Sequence, residues 1–288
     1  RWWMTFNVHS GWGRRLDTPS RRTVGGTFHL VGQTPEGPWQ RPREDLLIGS
    51  GCDRHDAVVA RSVMWQGQRL LYHHYNGAVS PGTPRALGLP KALAVKDGQR
   101  VVRPWAGLKG LWMEQLALSA PRQPDAGPFS NGTWNIGGET IGGGCPAGAT
   151  MLLVEGAPDL DAVVNVSIAD GPRAGVAVGG DELSKGALLV LLDCEHNAIT
   201  LNEVRAGMFG PSFGRPLDAV HRPLRNNAPY AVRIVKRDRY AEIFVNGELL
   251  FSTITEGIGR GNWLALVADS AQAHFQIKRA HRIKPMKR

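Results

Sequence analysis

Cysteine is scarce, with Cys52, Cys145 and Cys194 the only three among 288 residues, far apart and without C-x-x-C or Cys/His ligand spacing. That excludes a disulfide framework and a zinc site of the usual pattern, and it leaves the redox compartment open, since one disulfide can still form. No apolar run approaches the ~18 residues of a membrane-spanning helix, and no secretory leader pattern is visible. Long helical periodicity is also wanting. Only residues 106–118, AGLKGLWMEQLAL, place apolar side chains at helical spacing (Leu108, Leu111, Trp112, Leu116), and one helix is expected there. Acidic residues are outnumbered, 25 against 34 basic, but the excess is scattered apart from Arg14-Arg15, Arg21-Arg22 and the tail 278–288. Such scatter serves solubility better than it builds a groove for a polyanion, so neither nucleic acid nor membrane is an expected partner.

What is abundant is turn-forming chemistry, with 36 Gly and 19 Pro punctuating short β-branched and aromatic runs. The class this predicts is all-β. The central stretch is GSGCDRHDAVVARSVMWQGQRLLYHHYNG, residues 49–77. Its polar entry, Asp53-Arg54-His55-Asp56, leads into strand-forming residues 57–65, turns at Gln66-Gly67-Gln68 and returns over 69–75. That is a β-hairpin with charged side chains at its mouth, either a ligand site or a solvated loop. Residues 2–8 and 26–33 read as earlier strands, with Trp39 packing after the turn at 34–39. Asp97-Gly98 between β-formers signals another hairpin. The linker SAPRQPDAGP, residues 119–128, has the composition of a boundary. Expected domains are therefore 1–118 and 129–288.

In the second part, strands are expected over 151–155, 162–168, 175–178, 187–193, 199–204, 230–238, 240–245, 248–251, 263–269 and 273–277. Asn246-Gly247 suits a type I′ turn, because both central residues must take positive φ. Strands at this spacing read as a two-sheet β-sandwich. Asn131-Gly132-Thr133 and Asn165-Val166-Ser167 match glycosylation sequons, a weak pattern.

Several strings resemble a known superfamily. Gly37-Pro38-Trp39, Gly-Ser-Gly with His55-x-x-Val58-Val59, and Tyr72-His73-His74 look like the late blades of five-bladed β-propeller glycoside hydrolases of family 43. Leu89-Pro90-Lys91-Ala92-Leu93, Asp97-Gly98 and Pro104-Trp105 look more like family 32, whose last blade precedes a C-terminal sandwich. The resemblance implies a partial β-propeller, its last blades only, followed by a concanavalin-like sandwich. It also implies cleavage of glycosidic bonds in fructans or in arabinose- or xylose-containing glycans. In these families the catalytic carboxylates lie on earlier blades, so no catalytic residue is identified in this chain, and the start at Arg1 beside a strand is expected to mean either that upstream sequence has been removed or that the chain is a processed or cloned piece. A separate N-terminal half carrying the remaining blades is one expected partner, and an oligo- or polysaccharide the other. Local acids (Glu36, Glu44-Asp45, Asp53, Asp56) are alternatives whose separation spacing alone does not fix, while hydrolysis needs two carboxyls ~5 to 9.5 Å apart.

By the same resemblance His55 matches a histidine near the propeller axis, sometimes beside a cation such as Ca2+. Arg54 replaces the usual Gly before it, and a guanidinium there opposes a metal ion; it suits sugar hydroxyls or a carboxylate instead, or pairs with Asp53 or Asp56. The expected substrate-binding residues are Arg54, His55, Asp56, Trp3 and His74. His73 and His74 are consecutive on a strand, so at most one faces the axis. A carbohydrate-binding or structural module without activity is the competing expectation.

Overall fold

In the computed structural model the described residues are 1–8, 16–18, 21–23, 25–49, 55–77, 86–117, 121–124, 129–179, 187–204, 216–238, 240–254 and 263–285. They are almost entirely strand, so the all-β expectation holds. The chain divides into two compact units, Arg1–Gly110 with Glu242–Ile254, and Leu111–Ala241 with Thr255–Arg288.

The first unit opens with β1 (Trp2–Val8), β2 (Leu16–Thr18), β3 (Arg21–Thr23), β4 (Gly26–Gly32), β5 (Trp39–Gln40) and β6 (Leu46–Gly49). β1 lies antiparallel to β4 from Trp2↔Gly32 to Val8↔Gly26, and β5 and β6 pair with β4 in turn. Next come β7 (His55–Trp65), β8 (Gln68–Gly77), β9 (Ala86–Leu87), β10 (Lys91–Lys96) and β11 (Gln99–Pro104), in a sheet of order β11-β10-β8-β7 with β9 beside β8. The turns take the backbone that their residues favour. Gln66-Gly67 and Asp97-Gly98 have positive φ at both positions, the geometry a two-residue hairpin needs to match strand twist. A core of Leu47, Ile48, Ala60, Leu71 and Val102, with Leu93 and Leu249 against it, underlies these strands.

The helix expected over 106–118 is not formed. Residues Ala106–Leu111 make a 3-10 turn, and Trp112–Gln115 continue as β12, paired with the C-terminal strand. Tertiary contacts override the pattern: the Trp112 indole donates to Asp161 at 2.8 Å and stacks on His281 at 4.1 Å between centroids. Gly107 and Gly110 lower the helical propensity that would have resisted.

The second unit continues with β13 (Thr133–Gly137), β14 (Thr140–Glu155), β15 (Leu160–Asp170), β16 (Arg173–Val178), β17 (Ala187–Asp193), β18 (Ala198–Val204), β19 (Asp218–His221) and β20 (Tyr230–Arg237), followed by β21 (Tyr240–Val245), β22 (Glu248–Ile254) and β23 (Trp263–Ile283). The two C-terminal strands expected from sequence are one, β23, which bends at Ser270 (φ 50°). Before the bend its residues pair with β16, and after it with β15. Two strand-length apolar runs can therefore be one strand when a tolerated positive φ lets it change partners. Phe129, Met151, Leu153, Leu189, Leu191 and Val267 form the sandwich core. Within the expected linker, Arg122 is pinned by backbone hydrogen bonds to Leu153 at 3.0 and 2.8 Å. Asn246-Gly247 has φ of 50° and 76°, as the I′ turn requires.

Candidate functional site

The residues expected from sequence are distributed over the first unit. Arg54 lies outside the described residues, as does Cys52. His55 and Asp56 open β7 and stand across from Gly77 and Asn76 of β8. His74 is exposed on β8, opposite Val58 and Leu87. Trp3 stands on β1 in the other sheet. One face of its indole is covered by the Arg100 guanidinium, 4.0 Å from the ring centroid, so that face is closed to a sugar. β1 meets β7 near its far end, where Asn7 Oδ1 accepts from the Ala60 amide at 3.4 Å. The hairpin thus carries His55, Asp56 and His74 at separate register positions, and Trp3 belongs to the other sheet.

Strand alternation sends His73 the opposite way from His74, and His73 is fully buried. It is the centre of a polar cluster that sequence reading missed. Lys91 Nζ sits 3.2 Å from His73 Nδ1, donates to the Leu89 carbonyl at 2.6 Å and pairs with Glu242 at 2.5 Å. On the other side of the ring, Nε2 lies 3.1 Å from Ser252 Oγ. An ammonium has three donors and no acceptor, so Lys91 donates to Nδ1 and the ring proton sits on Nε2. His73 then donates to Ser252. Nucleophile activation needs the reverse, a histidine nitrogen that accepts the serine proton. With Lys91 and His73 at 0% exposure and Ser252 at 3%, no substrate reaches the pair either. The Ser-His-Lys-Glu set is a buried clasp, which rules out acyl transfer at this place.

Burial is the chief cause that holds His73 well below its ordinary pKa, with the Lys91 and His74 charges adding to it. Burial also lowers Lys91, against the opposing pull of Glu242. Gly88 closes over the imidazole; a Cβ there would stand 2.3 Å from His73 Cε1. Gly88→Ala is expected to lower stability by about 1–3 kcal/mol through overpacking, read as a shift of the thermal midpoint. The signal available in the sequence was a single Glu within the apolar run Tyr240–Val245, all of it buried, and a Lys opening β10. Opposite charges inside apolar strands point to a partner, but not to one with 150 residues of chain between.

The buried acids of this unit, among the described residues, are Asp45, Glu242 and Glu248. Each is committed to a cation: Arg41 at 2.5 Å, Lys91 at 2.5 Å and Lys96 at 2.5 Å, respectively. A carboxylate fixed in this way does not reach for a glycosidic oxygen. Among the described residues one group has metal-ligand potential, Asp193, Glu195 and His196 in the second unit. Both Asp193 oxygens already engage His196, one its amide at 2.9 Å and the other its ring at 3.0 Å, which closes the turn between β17 and β18. The Ca2+ expectation rests on His55, a residue of the first unit. Cys145 and Cys194 are free thiols. Among the described residues no helix is long and apolar enough to cross a membrane.

With the geometry in place, comparison with known proteins adds the architecture. No family model matches the sequence, and no curated protein does. Among solved structures, exo-inulinase from Aspergillus awamori is 14% identical over 99% of this chain and 54% of its own, with a TM-score of 0.63. The family 32 beta-fructofuranosidase of Bombyx mori is 12% identical over 94% of this chain and 53% of its own, with a TM-score of 0.56. Sucrose-6-phosphate hydrolase from Lactobacillus gasseri is 12% identical over 91% and 48%, with a TM-score of 0.56. The likeness is one of fold. The chain spans about half the length of these structures, and its fold is like that of family 32 glycoside hydrolases over nearly all of its own length.

Proposed function

We propose that this chain forms part of a family 32/43-like glycoside hydrolase acting on fructans or on arabinose- or xylose-containing glycans. In this reading its first unit supplies late propeller blades, and the catalytic carboxylates come from sequence other than these 288 residues. One observation carries the proposal: 99% of the chain follows the fold of an exo-inulinase while spanning 54% of that structure. The commitment of Asp45, Glu242 and Glu248 to cations supports it, because hydrolysis needs two carboxyls free to flank one bond. Arg54, His55, Asp56, Trp3 and His74 are the proposed sugar contacts. The tied carboxylates equally favour the second reading, a sugar-binding or structural module without activity of its own.

Titration calorimetry and reducing-sugar assays with inulin-type and arabinoxylan oligosaccharides test both. The 288-residue chain is expected to bind one glycan class and to release no sugar above background, and His74→Ala is expected to weaken binding about tenfold, or 1.4 kcal/mol. Turnover by the chain alone would overturn the placement of the carboxylates elsewhere. Absence of binding to every glycan would overturn the sugar reading.

A further inference from the structure

The first unit contains one segment from far along the chain, Glu242–Ile254, which is the end of β21 and all of β22. Polar side-chain contacts help to hold it. The Lys91–Glu242 pair is buried, with side-chain exposures of 0% and 3%; Ser252 meets His73 at 3.1 Å; Lys96, its side chain 51% exposed, meets the buried Glu248. Leu249 adds apolar contact against Leu47, Ile48, Ala60, Leu71 and Val102.

We propose that this hairpin is a strap without which the first unit does not close, and that the buried Lys91–Glu242 pair fixes its register. Lys91 opens β10 across from Leu71, itself buried. With no Glu242 the ammonium has no counter-charge in that setting, and a lone buried charge is strongly disfavoured. A one-residue slip of the strap turns Glu242 to the opposite face, so the pair accepts one register and rejects its neighbours. The Lys96–Glu248 pair contributes less by comparison, because the Lys96 side chain is half exposed and screened by water although Glu248 is buried. Strands that carry His55, Asp56 and His74 thereby owe their packing to residues more than 160 positions later, whether or not the sugar reading is right.

Hydrogen exchange on the full chain tests this. Lys91→Met is expected to raise exchange at least about tenfold over 242–254 and over β8 and β10, leaving β15–β18 unchanged as the internal reference. Lys91→Met combined with Glu242→Met is expected to bring the strap back toward the parent. Ser252→Ala, a milder cut in the same clasp, is expected to raise exchange severalfold in the same segments. Unchanged exchange in 242–254, an equal rise in β15–β18, or a double variant no better than the single one would each overturn the proposal.

Discussion

Asp161→Ala is expected to lower the unfolding free energy by about 3–5 kcal/mol, the scale for removing one partner of a buried ion pair. Asp161 is 1% exposed and accepts three hydrogen bonds: from Arg233 Nε at 2.8 Å, from Arg233 Nη2 at 2.7 Å and from the Trp112 indole at 2.8 Å. The Arg233 side chain is itself only 12% exposed. Truncation removes the acceptor from two largely buried donors, and a donor that loses its acceptor away from water costs desolvation. It also frees β12 from β15, since Trp112 reaches across to Asp161. Arg233→Lys should cost less, but more than a conservative change, because the paired geometry on the carboxylate needs a planar fork. Urea midpoints at constant slope are the measurement. A loss below about 1 kcal/mol would show water screening the pair as it does at a surface.

Acid is expected to weaken the first unit through His73. The folded pKa is lowered, so below the ordinary value of 6.5 the unfolded chain takes up a proton that the folded chain refuses. His73 therefore contributes its full stability above pH 6.5, and the contribution falls by up to about 1.4 kcal/mol per pH unit as pH drops toward the folded pKa. His29 is lowered in the same sense, mainly by burial, and adds to the slope. His73→Gln should be less stable at pH 7 but show a flatter decline between pH 6.5 and 5, and His29→Gln a smaller flattening. Parallel declines for parent and His73→Gln would exclude His73 as the source.

The strap and the acid response share one cause, polar groups sealed where water cannot compensate them. Lys91, His73 and Glu242 are tolerated because Lys91 pairs with both of the others, and the same burial removes them from chemistry. His74, next to His73 in the chain, differs in kind: its side chain is exposed on β8.

Periodicity and turn chemistry alone determined much of this protein. The all-β class, the hairpin turning at Gln66-Gly67, the Asn246-Gly247 turn and strands such as β1 and β17 are local matters of alternation and allowed φ, settled within a few residues. Sequence order also placed His73 and His74 on opposite faces. Only the tertiary structure decided that 112–115 would be strand, that 263–283 would be one strand, and that 242–254 would count with the first unit. Those outcomes depend on partners far off in the chain. Trp112 follows Asp161 and His281, β23 changes neighbours at Ser270, and Glu242 follows Lys91. Such pairings are chosen by the free energy of burying a charge or an indole against its complement, a quantity that no local window of sequence contains.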